Sequence, residues 1–283
     1  MALSAPRPTG AIAALLPGGR LHLQHGPIDI VAEAFGEPPA IRAAHARAAT
    51  RFATILKELA AELPALRSEA APVNGPIARR MAAAVAPFRP AFITPMAAVA
   101  GAVAEEVLAA VTGPGIIRAY ANNGGDIALW LGPGQSLTCA LALSPMDRVT
   151  VRATDPIRGI ATSGWGGRSF SLGIADAVTV LARTAAMADA AATMVANAVT
   201  LDHPGILRRP ARDLQGDSDL GDRLVTVAVP PLGSQDRVRA LDAGLRAAEG
   251  FRAQGLIEGA ALFLQGEMRA TGALLVEEGD ASG

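Results

Sequence analysis

Two segments of this 283-residue chain carry the residue types that could do chemistry. One is Tyr120-Ala-Asn-Asn-Gly-Gly-Asp-Ile-Ala-Leu129. The other begins at Gly159-Ile-Ala-Thr-Ser-Gly164 and resumes at Met187-Ala-Asp-Ala-Ala-Ala-Thr193. Each sets glycines, a hydroxyl or amide and an aspartate between apolar runs, a pattern for tight turns that bring backbone amides and a carboxylate to a small polar site. As a turn, Asn122-Asn123-Gly124-Gly125-Asp126 needs no function, because Asn and Gly adopt positive φ at little cost and the flanking runs read as a hairpin. As chemistry, its two glycines let the backbone approach a phosphate or pyrophosphate while the Asn amides donate to it.

Asp189 and Thr193 stand four apart on a helical stretch, so they project from one face among Ala, Met and Val. A carboxylate there requires a partner, since burying it unpaired costs several kcal/mol or forces protonation. A helix N-terminus, an arginine or a cation would serve. Mg²⁺ takes a few oxygen ligands and completes its shell with water and phosphate, which one Asp and one Thr hydroxyl could begin. The bland alternative is an Asp complementing the helix dipole, with Thr bonded back to a carbonyl. Thr162 and Ser163 offer hydroxyls beside Gly164, and Arg168, in Trp165-Gly-Gly-Arg168, is the cation best placed for a phosphate. Of the histidines, His22 and His25 face opposite sides of a strand, which leaves His25, near Asp29, as the better candidate. His45 and His203 are assigned no role, and Glu105-Glu106 reads as the solvated end of an apolar helix.

Composition bounds what these residues can be part of. A formal charge of −1 gives no reason to expect nucleic acid or an anionic membrane as partner. The single lysine, Lys57, excludes a Gly-Lys-Ser/Thr phosphate loop, and the single cysteine, Cys139, excludes an intramolecular disulfide and a thiolate zinc cluster. Half the residues are apolar but only 4% are aromatic, so the core must be closely packed Ala, Val, Leu and Ile. No stretch reads as a secretory signal or a membrane span, and a soluble, cytoplasmic protein is expected.

Positioning these residues requires strands at 21–25, 28–32, 116–121, 127–131, 137–143, 149–153, 159–162, 177–181 and 224–229, with a closing hairpin over 260–264 and 268–274. Helical spacing covers 39–66, 77–86, 96–111, 184–199 and 235–253, with Thr94-Pro95 expected to cap the third. Strands come in adjacent runs without steady βαβ alternation, so the fold class is α+β. One domain over 1–283 is expected, with flexible ends at 1–20 and 276–283, and the Ala-rich helices could form a homodimer surface.

These segments resemble the FMN-transferase family called ApbE, and more closely the UPF0280 proteins. The resemblance rests on His22-Leu-Gln-His-Gly-Pro-Ile-Asp29, Ile93-Thr-Pro-Met-Ala-Ala-Val-Ala-Gly-Ala102, Asn122-Asn-Gly-Gly-Asp-Ile127 and Gly173-Ile-Ala-Asp-Ala-Val-Thr-Val180. It implies an ApbE-like, T-fold-like architecture of antiparallel sheets packed with helices. It also implies a cleft for a phosphorylated small molecule of the flavin (FAD or FMN), pterin or nucleotide type. Asn122, Asn123, Gly124, Gly125 and Asp126 would form one wall and Thr162, Ser163, Gly164 and Arg168 another. Asp189 and Thr193 match the family's Ala-Asp-Ala-Leu-Ala-Thr, whose Asp and Thr hold a divalent metal, so Mg²⁺ is implied. The chain departs from the transferases where they carry Lys-Gly-Tyr, reading Gly101-Ala-Val103 instead. It also lacks their His-Ile-Ile-Asp-Pro-x-Thr-Gly hairpin, where Asp176 could partly replace the carboxylate. Two functions follow from different classes: group transfer at a phosphate, with His25 and Asp176 as catalytic candidates, or a non-catalytic ligand-binding or assembly protein, in one-carbon or pterin metabolism, that keeps the fold without the transferase chemistry.

Overall fold

The computed structural model describes residues 10–140, 148–167 and 169–273. In chain order the elements begin with β1 (Ile12–Leu15), β2 (Leu21–His25), β3 (Ile28–Gly36), α1 (Pro38–Ala61), α2 (Leu63–Leu66) and α3 (Pro76–Val85). They continue with α4 (Val99–Val111), β4 (Ile116–Asn123), β5 (Asp126–Leu131), β6 (Ser136–Ala140), β7 (Arg148–Arg152), β8 (Gly159–Ser163), β9 (Ala177–Ala182) and α5 (Ala185–Ala198). The last are β10 (Leu207–Pro210), α6 (Ala211–Leu214), β11 (Leu224–Ala228), α7 (Ser234–Ala253), β12 (Gly259–Leu264) and β13 (Glu267–Gly272). Among the described residues, nine strands form one sheet in the order β1-β2-β3-β4-β5-β8-β9-β12-β13. Every neighbouring pair in it is antiparallel. The class is α+β, as the run of adjacent strands implied.

Helices α1, α4, α5 and α7 pack on one face of this sheet. In α1 the buried residues Ala44, Ala48, Phe52, Ile55 and Leu59 recur at helical spacing and form its inward stripe. The helix expected through residue 66 breaks at Glu62, because Pro64 cannot continue it; the Glu62 carboxylate instead accepts the Asn74 and Gly75 amides. Thr94 does not cap the helix that follows. Its hydroxyl donates to the Asp219 carboxylate, and a 3-10 turn over Pro95–Ala98 leads into α4. Thr184 does cap α5, accepting the Met187 amide at 3.2 Å.

The pleat decides what each face carries. The register Asn122↔Ile127, Ile127↔Ile160 and Ile160↔Leu181 runs along the outer face, away from the helices. Ile127, Leu129, Leu131, Ile160 and Leu181 make an outer cluster there with Val151 of the β6–β7 hairpin. Ala121, Ala128, Ala161 and Ala182 line the inner face, and these small side chains let α4 and α5 lie close to the strands. The alanines of α5 (Ala188, Ala190, Ala191, Ala192) are fully buried inside this chain. They belong to this chain's own core.

Within the stretch expected as a flexible N-terminal end, Ile12–Leu15 forms β1 and pairs with β2. The strand expected over 137–143 runs through Ala140, and its last three residues, 141–143, lie outside the described residues. No helix among the described residues is long and apolar enough to cross a membrane.

Candidate functional site

The β4–β5 turn is the hairpin that its sequence signals. Gly124 and Gly125 have φ of 66° and 115°, a backbone that a side chain would strain. Asn122 Oδ1 accepts the Gly125 amide at 2.8 Å, which closes the turn. Strand alternation then divides the motif. Asn122 lies on the outer face, where Asp29, Val31, Asn122, Gly124 and Gly125 line an open cleft of about 280 Å³. Asn123 and Asp126 are cross-strand partners turned to the helix face. The wall expected of all five residues is therefore two surfaces on opposite sides of one sheet.

On the helix face the polar groups converge. Asn123 Nδ2 donates to the Ala100 carbonyl at 3.1 Å, tying the hairpin to the first turn of α4. Asp126 Oδ1 accepts the Thr162 amide at 3.2 Å. Asp189, on α5, accepts the Gly101 amide at 3.0 Å through Oδ2. The amides of Ala100 and Gly101 stand in the first turn of α4, where no intrahelical partner exists and where Ala98 supplies no side-chain cap. Asp189 thus caps a neighbouring helix and does not complement its own. Gly101 makes the contact possible: a Cβ there would lie 2.2 Å from the Ala185 carbonyl oxygen.

The electrostatics of Asp189 are unusual. It keeps part of its surface accessible, yet protein surrounds the carboxylate. Burial, and then the nearby charge of Asp126, push its carboxyl well above the ordinary range, and the Gly101 and Ala100 amides offset only part of this. Two carboxylates are thus held within electrostatic reach, with the half-buried Thr193 one helical turn from Asp189. Thr193 does not bond back to a carbonyl among the described residues, unlike Thr50, which donates to the Ala46 carbonyl at 3.0 Å. Hard oxygen donors of this kind fit Mg²⁺, which takes one or two carboxylates and fills its shell with water and phosphate. No group of three or more His, Cys, Asp or Glu that could hold a metal occurs among the described residues.

Thr162 turns its hydroxyl to Thr179 at 2.8 Å, on the outer face. Alternation puts Ser163 on the helix face with Asp126. Gly164 lies against the backbone of Asp176, whose carbonyl oxygen would be 2.3 Å from a Cβ. Arg168 lies outside the described residues. Asp176 is occupied: Oδ1 accepts the Trp165 indole at 3.2 Å and Oδ2 the Gln265 amide at 2.6 Å. His25 sits edge-on to Phe52, with ring centroids 6.4 Å apart, and its buried Nδ1 has no hydrogen bond among the described residues. The histidine that meets Asp29 is His22, with Nε2 and Oδ1 3.1 Å apart.

Sequence reasoning missed Glu105. It is not solvated. Its side chain is 20% exposed, Oε1 accepts the Ala186 amide at 2.8 Å, and Arg80 Nε lies 3.1 Å from Oε2. Burial pushes the Glu105 carboxyl up, and the Ala186 amide and the Arg80 charge offset part of that. Glu106 is likewise engaged. Burial opposes its charge, but the guanidinium groups of Arg51 and Arg80, at 2.7 and 2.9 Å, hold its carboxyl below the ordinary range. The available signal was two acids in the middle of an otherwise apolar helix.

A family model described as AbpE bacteria matches residues 13–270. Relatives include a UPF0280 protein of Methanothrix thermoacetophila, 39% identical over 130 residues, covering 45% of this chain and 54% of that protein. A UPF0280 protein of Methanopyrus kandleri is 38% identical over 148 residues, covering 51% of this chain and 56% of that one. The chain spans about half the length of the curated relatives it matches. Among solved structures, the apo form of the flavinyl transferase ApbE of Pseudomonas stutzeri is similar with a TM-score of 0.41 and 13% identity, covering 93% of this chain and 94% of that one.

Proposed function

The chain belongs to the family described as AbpE bacteria, and on that premise we propose that it binds a phosphorylated ligand of the flavin, pterin or nucleotide type through a divalent cation, as a group transferase related to FAD:protein FMN transferase. The observation that carries this reading is the Asp126–Asp189 pair. Two carboxylates near one another, one of them strongly disfavoured as an anion, form a site that a cation relieves. Mg²⁺ bound there would supply electrostatic stabilisation of charge on a phosphate. Asp189 and Asp126 would hold the ion and Thr193 would add a hydroxyl. The α4 amides that Asp189 already engages would keep that carboxylate in one orientation. Ser163 and the Gly164 backbone would border the ligand on the same face.

The second reading, a binding or assembly protein without turnover, is favoured by a separate observation. Both carboxylate oxygens of Asp176 are already engaged by Trp165 and Gln265, and His25 stands edge-on to Phe52, so each catalytic candidate has a partner within the fold. Thermal-shift titration with FAD, FMN and a pterin, each with and without Mg²⁺, tests the first part. A Mg²⁺-dependent stabilisation growing as RT ln(1 + [L]/Kd) is expected, and it should vanish in Asp189→Asn. The absence of any Mg²⁺-dependent shift with all three ligands would overturn the cation reading. Product analysis of the best-bound ligand then separates transfer from binding alone.

A further inference from the structure

Helices α4 and α5 cap each other. The Gly101 amide at the start of α4 donates to Asp189 Oδ2 of α5 at 3.0 Å, and the Ala186 amide at the start of α5 donates to Glu105 Oε1 of α4 at 2.8 Å. Each acid supplies the acceptor that the other helix's first turn lacks. Between the two bonds the backbones nearly touch, since a Cβ on Gly101 would lie 2.2 Å from Ala185 O and 2.8 Å from Ala186 N. Glu105 is itself held by Arg80 at 3.1 Å, and Arg80 also pairs with Glu106, which Arg51 of α1 holds at 2.7 Å. The chain of contacts therefore runs from α1 through α3 and α4 to the first turn of α5. Asp189 sits one turn further along that helix.

We propose that Glu105 is a positioning residue for Asp189: by fixing the first turn of α5 against α4, it sets where the Asp189 carboxylate stands relative to Gly101 and Asp126. It touches neither cation nor ligand. Reach, rather than charge, is the property that matters. Glutamine keeps an acceptor of the same length, whereas aspartate keeps the charge but is one methylene too short to meet the Ala186 amide. The consequence for a cation rests on the proposed function; the consequence for Gly101 does not.

The test compares the parent protein with Glu105→Gln and Glu105→Asp, each checked for folding by its thermal transition. The first readout is hydrogen exchange at the Gly101 amide, whose acceptor is Asp189. Glu105→Asp should exchange it about tenfold faster or more, while Glu105→Gln should stay close to the parent. The second is Mg²⁺ affinity by calorimetry. Glu105→Asp should lose about 10–100-fold, the usual effect of removing a group that orients a metal ligand, with Glu105→Gln restoring most of it. A local structural role would lower the melting temperature and leave Gly101 protected. Equal Gly101 protection in all three proteins overturns the proposal. If the parent binds no Mg²⁺, the cation reading falls, and Gly101 exchange alone still decides whether Glu105 positions Asp189.

Discussion

In the proposed function Asp189 is the residue that would hold the cation, and its protonation gives a sign that can be checked. Its folded carboxyl is raised above the ordinary range by burial and by Asp126. Between the ordinary range and the raised value, the folded state keeps a proton that the unfolded chain has released. Stability therefore falls as pH rises through that window. Glu105, also raised by burial, acts in the same direction. Without cation, Asp189→Asn should match or exceed the parent's melting temperature near neutral pH, with a shallower loss of stability from mildly acidic to neutral pH. Scanning both proteins across that range in chelator checks this. A clear drop in the variant at neutral pH would show that the ionised carboxylate is stabilising and the sign wrong. Asp176 contrasts with it: its two oxygens hold Trp165 and Gln265, so Asp176→Asn is expected to cost stability before it touches any ligand.

At the scale of elements, the α4–α5 contact holds the Asp189 carboxylate against Gly101. Both helices are alanine-rich, and the approach at Gly101 leaves no room for a methyl group against the Ala185 carbonyl. Gly101→Ala should cost on the order of 1–3 kcal/mol, as overpacking does, and should weaken Mg²⁺ binding along with stability because it moves Asp189 from its acceptor position. Thr184→Ala removes the cap on Met187 and the Thr184 hydroxyl's hydrogen bond to Glu105, and should cost about 1–2 kcal/mol, leaving the close approach at Gly101 in place. Urea denaturation of the two variants, with Mg²⁺ titration of each, separates the effects. Equal losses of Mg²⁺ affinity would show that the close approach has no special part in the site. The β4–β5 hairpin belongs to this scale too. Its glycine turn was legible in the residues, but the split of Asn122 from Asn123 follows from the pleat and from which face the helices cover.

Across the whole molecule, one sheet joins both apolar clusters: the helix-side core runs from Leu21 to Leu264, and the outer cluster packs on the other side of the same strands. A single cooperative unfolding transition is expected, with calorimetric and van't Hoff enthalpies in agreement. Phe52→Ala, on the buried face of α1, should lower stability by about 3–5 kcal/mol throughout rather than in one part. Two separated transitions would show that the chain divides into independent units. By itself the sequence determined most of the elements, the glycine hairpin and the Asp189/Thr193 face, because each depends on residues within a turn or two of one another. Only the tertiary structure decided that Asp189 caps α4 across 88 residues and that Glu105 answers it across 81. It also decided that Asp126 comes near Asp189 while Asn122 turns away. Those pairings depend on how closely small side chains let two helices and a sheet approach, and no local pattern records that distance.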